Sequence, residues 1–370
     1  MTDTGFEAAR LTVRLGALTA NYAEIGRLAP GAAVAPVVKA DAYGTGLAPV
    51  ATALAGAGAD SFFVARVEEG EALRTLLPKA RIFVLDGLAP DSVPRYLGRA
   101  LVPVLNTMDQ LALWRETARN ERTTLSAVVH IDTGMNRLGF DTTDFNLLAV
   151  DAPALFKGLD LALVMSHLAC ADAPDHPMNA RQLARFRAVL ARLPSAPASL
   201  AASGGVILGR DYHFDLVRPG IALYGGNPQA ERLNPFKTAV VFTGRILQIR
   251  RVDKGESVGY GATFHTERPA ILATVALGYA DGLMRAISNQ GAAAIAGVRA
   301  PVVGRVSMDL VVLDVSAVPP SALGIGAEAE FFGDTIALEE FAANTGTVNY
   351  EALTSVGARV PRVYVEGSSR

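Results

Sequence analysis

Apolar residues in the first two-thirds of the chain fall into short continuous runs, alternating with stretches where they recur every third or fourth position. A short continuous run rich in aliphatic and β-branched residues reads as a strand buried on both faces, and the recurring pattern reads as an amphipathic helix. Strands are expected at 34–38, 61–65, 81–85, 101–105, 126–131, 159–166, near 198–202 and at 214–217. Helices are expected from Leu15 to Ile25, at 46–57, from Val67 to Leu76, at 107–119 and at 179–193. This alternation builds a parallel sheet. The repeat of eight units predicts closure into a (β/α)8 barrel, with a doubly wound open sheet as the alternative.

The pattern changes after residue 233, where short β-rich runs with turn residues follow at 239–250, 271–277, 300–303, 310–315 and 328–332, with one helix near 337–344. The expected organisation is an α/β chain: an N-terminal barrel domain at 1–233 and a C-terminal, mostly β domain at 234–370. Asn234-Pro235 marks the boundary, and residues 1–14 are free to pair with the second domain.

Composition narrows the partners. Half of the 370 residues are hydrophobic, which is ample for a large core, and a net charge of −2 gives no electrostatic case for nucleic acid or an acidic membrane surface. A single cysteine, Cys170, excludes an intrachain disulfide and points to a cytoplasmic home. The first ten residues lack the basic start and apolar core of a secretory signal, and no apolar run approaches the length of a membrane span.

The chemistry gathers where a barrel would put it, at the C-terminal ends of the strands. The first strand ends on Lys39, followed by Ala40-Asp41-Ala42-Tyr43-Gly44 in what reads as a Gly-containing loop. A lysine there is costly to bury, and two readings stand. It is either a desolvated amine poised to form a Schiff base with an aldehyde, or a snorkelling side chain with its head in water. The other four lysines sit in turn-like or polar contexts, so Lys39 is the one good Schiff-base candidate. The fifth strand runs into Asp132-Thr133-Gly134-Met135-Asn136-Arg137, the sixth ends at Ser166-His167, the seventh at Ser203-Gly204-Gly205 and the eighth at Arg218-Pro219-Gly220-Ile221. Ser203, Gly220 and Ile221 fall in the last two loops, where such barrels bind phosphate. Taken singly, His167 reads as a structural histidine and Arg218 as an ion-pair partner. His167, Cys170 and His176 lack the fourth ligand and paired spacing of a zinc site, so no metal is expected.

Taken together, these motifs resemble the alanine racemases. The run Val38-Lys39-Ala40-Asp41-Ala42-Tyr43-Gly44 is similar to the lysine signature by which that family holds pyridoxal 5'-phosphate (PLP). The likeness continues, in order, through 132–139, 166–169 and 217–225 in the first domain. In the second it covers 258–264, 278–282, 304–309 and 347–351. It decides the reading of Lys39 in favour of the Schiff base.

The resemblance implies a cytoplasmic, PLP-dependent isomerase that interconverts L- and D-alanine and supplies D-alanine for peptidoglycan, working as a head-to-tail homodimer. Lys39 would hold PLP, Ser203, Gly220, Ile221 and Tyr350 would hold its phosphate with Tyr43 beside it, His167 would lie against the ring, and Arg218 would face the pyridine nitrogen. Arg137 and the Met308 amide would bind the substrate carboxylate, and Tyr279 would line the entrance. Lys39 and the partner's Tyr260 would be the two bases, one on each face of the α-carbon. Two residues depart from the pattern. His130 stands where the family often has a carbamylated lysine, so Arg137 must be positioned differently, and Ala202 stands where an asparagine often precedes the phosphate-binding serine. The rival readings are a racemase of the same fold with a wider range, for example including serine; a single-barrel PLP carrier, which would need neither Tyr260 nor Met308; and a PLP decarboxylase, which typically sets a carboxylate where Arg218 stands.

Overall fold

A computed structural model describes residues 7–367. Strand β1 (Ala9–Arg14) and a helix at Leu15–Leu28 lead into β2 (Ala33–Val34), β3 (Ser61–Val64), β4 (Arg81–Val84), β5 (Val102–Leu105), β6 (Leu125–His130), β7 (Leu159–Met165), β8 (Ala198–Ser199) and β9 (Leu216–Val217). Strands β3 to β8 form one parallel sheet in sequence order, and β2 pairs with β9. Parallel bridges Val37–Phe63 and Ala202–Arg218 join the two sheets, closing the ring into the expected barrel and excluding the open sheet. All four side chains of β3 are buried, as strands covered on both faces require. The first strand is shorter than its apolar run suggests. Pro36 has no N–H to give, although its carbonyl still accepts from Phe63 N at 2.9 Å.

The second part contains β10 (Val240–Val252), the hairpin β11 (Ser257–Val258) and β12 (Phe264–His265), β13 (Ala270–Val275), β14 (Ala292–Ile295), β15 (Val298–Pro301), β16 (Val311–Asp314), β17 (Glu328–Phe332) and β18 (Arg362–Val365). The main sheet has the order β15-β14-β17-β10-β1-β18, with β13 pairing both β10 and β16. Strand β10 serves both branches. It pairs with β1 and β17 along its first half, shifts register between Ile246 and Gln248, and then pairs with β13. Gly244 sits just before this bend, where a Cβ would come within 2.8 Å of Val275. One hydrophobic cluster runs without a break from barrel residues such as Phe62 and Phe83 to β-domain residues such as Phe242 and Phe331. No helix among the described residues is long and apolar enough to cross a membrane.

The expected loop after Lys39 is in fact a left-handed helical turn. Ala40, Asp41, Ala42 and Tyr43 all have φ between +53° and +58°. Left-handed helix costs L-residues roughly 1–2 kcal/mol each, so this turn must be held from outside. Glu69, in the helix Val67–Leu76, accepts from Ala40 N at 2.6 Å while also capping its own helix through Ala65 N and Arg66 N. Asp41 accepts from Leu47 N at 2.7 Å. From the far end of the chain, Arg362 Nε donates to Gly44 O at 2.9 Å and the Tyr364 hydroxyl to Thr45 O at 3.0 Å.

Candidate active site

At the C-terminal ends of the barrel strands lies a cavity of about 600 Å³, a volume suited to a small cofactor with its substrate. Lys39, Tyr43, His130, Arg137, His167, Ser203, Arg218, Gly220, Ile221 and Tyr350 all line it. The polar strand ends recognised in the sequence therefore converge on one space.

Lys39 is more than half buried, and its ammonium has no hydrogen-bond or ion-pair partner among the described residues. Burial, and then the nearby Arg137 charge, push its pKa below the ordinary lysine range, against a smaller opposing pull from Asp86 and Glu69. A neutral amine is the form that attacks an aldehyde and accepts a proton.

Arg218 is 3 % exposed and faces no carboxylate. Nη2 donates to Ser166 O at 2.6 Å, and Nη1 donates to the Ser199 hydroxyl. Burial lowers its pKa to about 9, so the guanidinium keeps its charge at neutral pH. Nη2 also lies 3.4 Å from His167 Nδ1, at the long end of hydrogen bonding. Since arginine can only donate, His167 accepts at Nδ1 and carries its proton on Nε2. Burial and the charges of Arg218, Arg137 and Lys39 hold its pKa well below 6.5, so the ring is neutral.

His130 answers the question raised by the missing lysine. Asn106 Nδ2 donates to Leu85 O and Val104 O, which turns its Oδ1 towards His130 Nδ1 at 2.9 Å. His130 is therefore the donor at Nδ1, and its Nε2 is left as a neutral acceptor beside the cavity. Burial, with Arg218 the next largest influence, lowers its pKa to about 4. Arg137 itself is exposed, on a loop shaped by Asp132, whose carboxylate accepts from Gly134, Met135 and Asn136 N at 2.8–2.9 Å.

The opposite corner suits an anion. Ser203 Oγ accepts from Gly220 N at 2.9 Å and Ala222 N at 3.3 Å, while the N–H of the fully buried Ile221 has no acceptor among the described residues. A Cβ on Gly220 would lie 2.1 Å from the Tyr43 hydroxyl, so only glycine leaves that space open. Tyr43 is fixed by stacking on Tyr224, with ring centroids 4.7 Å apart. An unpartnered amine, a buried cation without a counter-charge and an orphaned buried amide are the features that an aldehyde, a pyridine nitrogen and a phosphate would satisfy. The residues present fit PLP.

Tyr260, Tyr279 and Met308 do not line this cavity. They are 73 %, 44 % and 54 % exposed, on the β domain. His176 has a local task instead of a metal: its Nδ1 accepts from Met178 N at 3.2 Å and caps the helix Pro177–Leu190. Several supporting residues escaped the sequence reading. Asn106 directly follows β5 and could have been found by applying the strand-end rule to every strand. Gln182, fully buried, ties the loops after β6 and β7 by donating to Thr133 Oγ1 and His167 O, and it had no such signal.

Comparison with known proteins agrees with this geometry. The model of the alanine racemase N-terminal domain matches residues 13–228, and that of the C-terminal domain matches 239–364. The chain is 46% identical over 369 residues to an alanine racemase of Methylobacterium nodulans, covering 100% of this chain and 99% of that one. It is 47% identical over 363 residues to a catabolic alanine racemase of Agrobacterium fabrum, covering 98% and 93%. The crystal structure of the Bartonella henselae alanine racemase with covalently bound pyridoxal phosphate matches with a TM-score of 0.92 at 37% identity, covering 97% of this chain and 99% of that one. The biosynthetic alanine racemase of Pseudomonas aeruginosa matches at 0.90 and 37%, with the same coverage. The chain belongs to the alanine racemase family.

Proposed function

We propose that this protein is a PLP-dependent racemase that interconverts L- and D-alanine by two bases, Lys39 and Tyr260. The observation that carries this reading is the single cavity in which a desolvated Lys39, a buried and unpaired Arg218 and the Ser203–Ile221 anion corner meet. Lys39 would hold the cofactor. Ser203, Gly220, Ile221, Tyr350 and Tyr43 would surround its phosphate, and His167 would lie against its ring. Arg218 would donate to the pyridine nitrogen without handing over its proton, which supports racemisation over reactions that need a protonated ring. A decarboxylase reading is disfavoured for the same reason.

Bound PLP supplies an electron sink that acidifies the α-hydrogen of the substrate. Lys39, with its depressed pKa, would accept or return that hydrogen at Nζ on one face. Tyr260 would do so at its phenolic oxygen on the other. A phenol is an unwilling base at neutral pH, so its anion needs donors nearby. The neutral His167, accepting from Arg218 at Nδ1, keeps an Nε2–H available for that purpose. Arg137 and the Met308 amide, whose N–H has no acceptor among the described residues, would fix the substrate carboxylate. Tyr279 and Tyr350 would narrow the entrance to small side chains.

The exposure of Tyr260, Tyr279 and Met308, away from the cavity of their own chain, supports a head-to-tail homodimer in which each β domain completes the partner's site. The cell-wall supply of D-alanine from a cytoplasmic enzyme is the role this activity suits. Incubation of the purified, PLP-loaded protein with L-alanine, followed by chiral analysis, should give equal amounts of the two enantiomers. Serine and other small amino acids tested in parallel define the range. If alanine is left unchanged by protein that holds PLP on Lys39, the proposed function is wrong.

A further inference from the structure

Arg359 belongs to none of the motifs above and lines no part of the cavity, yet it joins the two β-domain loops on which Tyr279 and Met308 sit. Nε donates to Asp281 Oδ1 at 2.6 Å and Nη2 to Asp281 Oδ2 at 3.0 Å, a bidentate fork, and Nη2 also reaches Asp309 Oδ1 at 2.7 Å. Asp281 lies two residues after Tyr279, and Asp309 follows Met308. The loops also touch directly. Tyr279 N donates to Ser307 O and Ala280 N to Met308 O, both at 3.0 Å, and a Cβ on Gly278 would stand 2.2 Å from Met308 O. Asp281 Oδ2 returns to accept from Gly278 N at 2.9 Å, and Gly357 N donates to Asp281 O at 2.9 Å. Single surface ion pairs contribute little, but a bidentate fork shared between two carboxylates, one of them largely buried, fixes direction as well as distance.

The same short segment also faces the other way. Three residues on, Arg362 grips Gly44 O, and Tyr364 grips Thr45 O, in the turn behind Lys39. Residues 359–364 thus hold, at one end, the loops offered outward and, at the other, the turn behind the chain's own lysine.

We infer that Arg359 is a positioning residue for the racemisation that acts on the partner's active site: through Asp281 and Asp309 it fixes the Met308 amide and Tyr279 that its own chain donates across the dimer. The inference rests on the shared-site reading above, and the test separates the two. Mixed dimers are made from differently tagged Lys39→Ala and Tyr260→Phe chains, and each mixed dimer then has one complete site. That site takes Lys39 from the Tyr260→Phe chain, and Tyr260, Tyr279 and Met308 from the Lys39→Ala chain. Adding Arg359→Met to the Lys39→Ala chain should raise the KM for alanine about tenfold, as expected when a group that only binds substrate is mispositioned. Adding it to the Tyr260→Phe chain should change KM far less, and the spectrum of bound cofactor should be the same in both arms. A purely structural role would affect both arms alike. Arg359→Lys, which keeps the charge but not the fork, should recover only part of the loss, and Asp309→Asn, a mild exposed change, should reproduce a smaller rise in the same arm. Equal effects in the two arms, or no effect in either, overturn the inference. Confirmed mixed dimers that are inactive without any change at Arg359 overturn the shared-site reading, and the inference falls with it.

Discussion

His130 and Arg218 show what burial does to single groups at this site. His130 keeps a folded-state pKa of about 4, while in the unfolded chain it returns to about 6.5. Above that upper value both states leave the ring neutral, and it contributes no pH dependence. As pH falls through the window from 6.5 towards 4, the unfolded chain takes up a proton that the folded chain refuses, and stability is lost until the lower value is passed. The full effect is about 3 kcal/mol at most. Denaturant midpoints should therefore fall between neutral pH and about pH 5, and fall less steeply in His130→Asn, which can still donate to Asn106. His167, also held neutral, supplies the remainder in both proteins. Identical pH slopes for the wild type and the variant would show that His130 is not the neutral, buried donor described here. Arg218 answers burial differently: it stays charged, satisfied by carbonyl and hydroxyl oxygens alone.

Among the elements, the left-handed turn behind Lys39 depends most on distant parts of the chain. Glu69 ties its first amide to the start of a neighbouring helix, and Arg362 and Tyr364 tie its carbonyls to β18. Glu69→Ala frees three amides, Ala40, Ala65 and Arg66, at an expected cost of about 1–3 kcal/mol. It should also shorten the retention of PLP during gel filtration, because the turn carrying Lys39 loosens. An unchanged midpoint together with unchanged cofactor content would show that the turn does not need this carboxylate. Sequence alone could not have foretold the turn, since a run of Ala, Asp, Ala and Tyr at positive φ contradicts the local preference of all four, and only contacts made more than 300 positions away sustain it. The barrel was legible because its apolar runs are continuous and regularly spaced, and the helix Val67–Leu76 has the bounds its periodicity predicts. The polar strand ends were legible for the same reason. Strand β14 was not, because Ala292, Ala293 and Ala294 carry little strand preference and take their shape from β15 and β17. Strand β18 was overlooked although Val363, Tyr364 and Val365 signal it, and with it went the braces on the Lys39 turn.

Across the whole molecule, the barrel and β domain share one continuous core, and β1 from the start of the chain lies between β10 and β18. The two parts are packed as one body, yet the cavity faces Lys39 and Arg218 while Tyr260, Tyr279 and Met308 face outward. Such an arrangement divides the chemistry between an inward amine and an outward phenol, and the account as a whole depends on these being two separate bases on opposite faces of the α-carbon. The fate of the α-hydrogen tests this most directly. Racemisation of L-alanine by the holoenzyme in D2O, followed at Cα in both enantiomers well before equilibrium, should give D-alanine that carries deuterium from the first turnovers. The remaining L-alanine should keep its protium, because the base that removes the hydrogen is not the one that delivers its replacement. D-alanine that retains the protium of the starting L-alanine would contradict the account, since a single group would then have carried the same hydrogen from one face to the other.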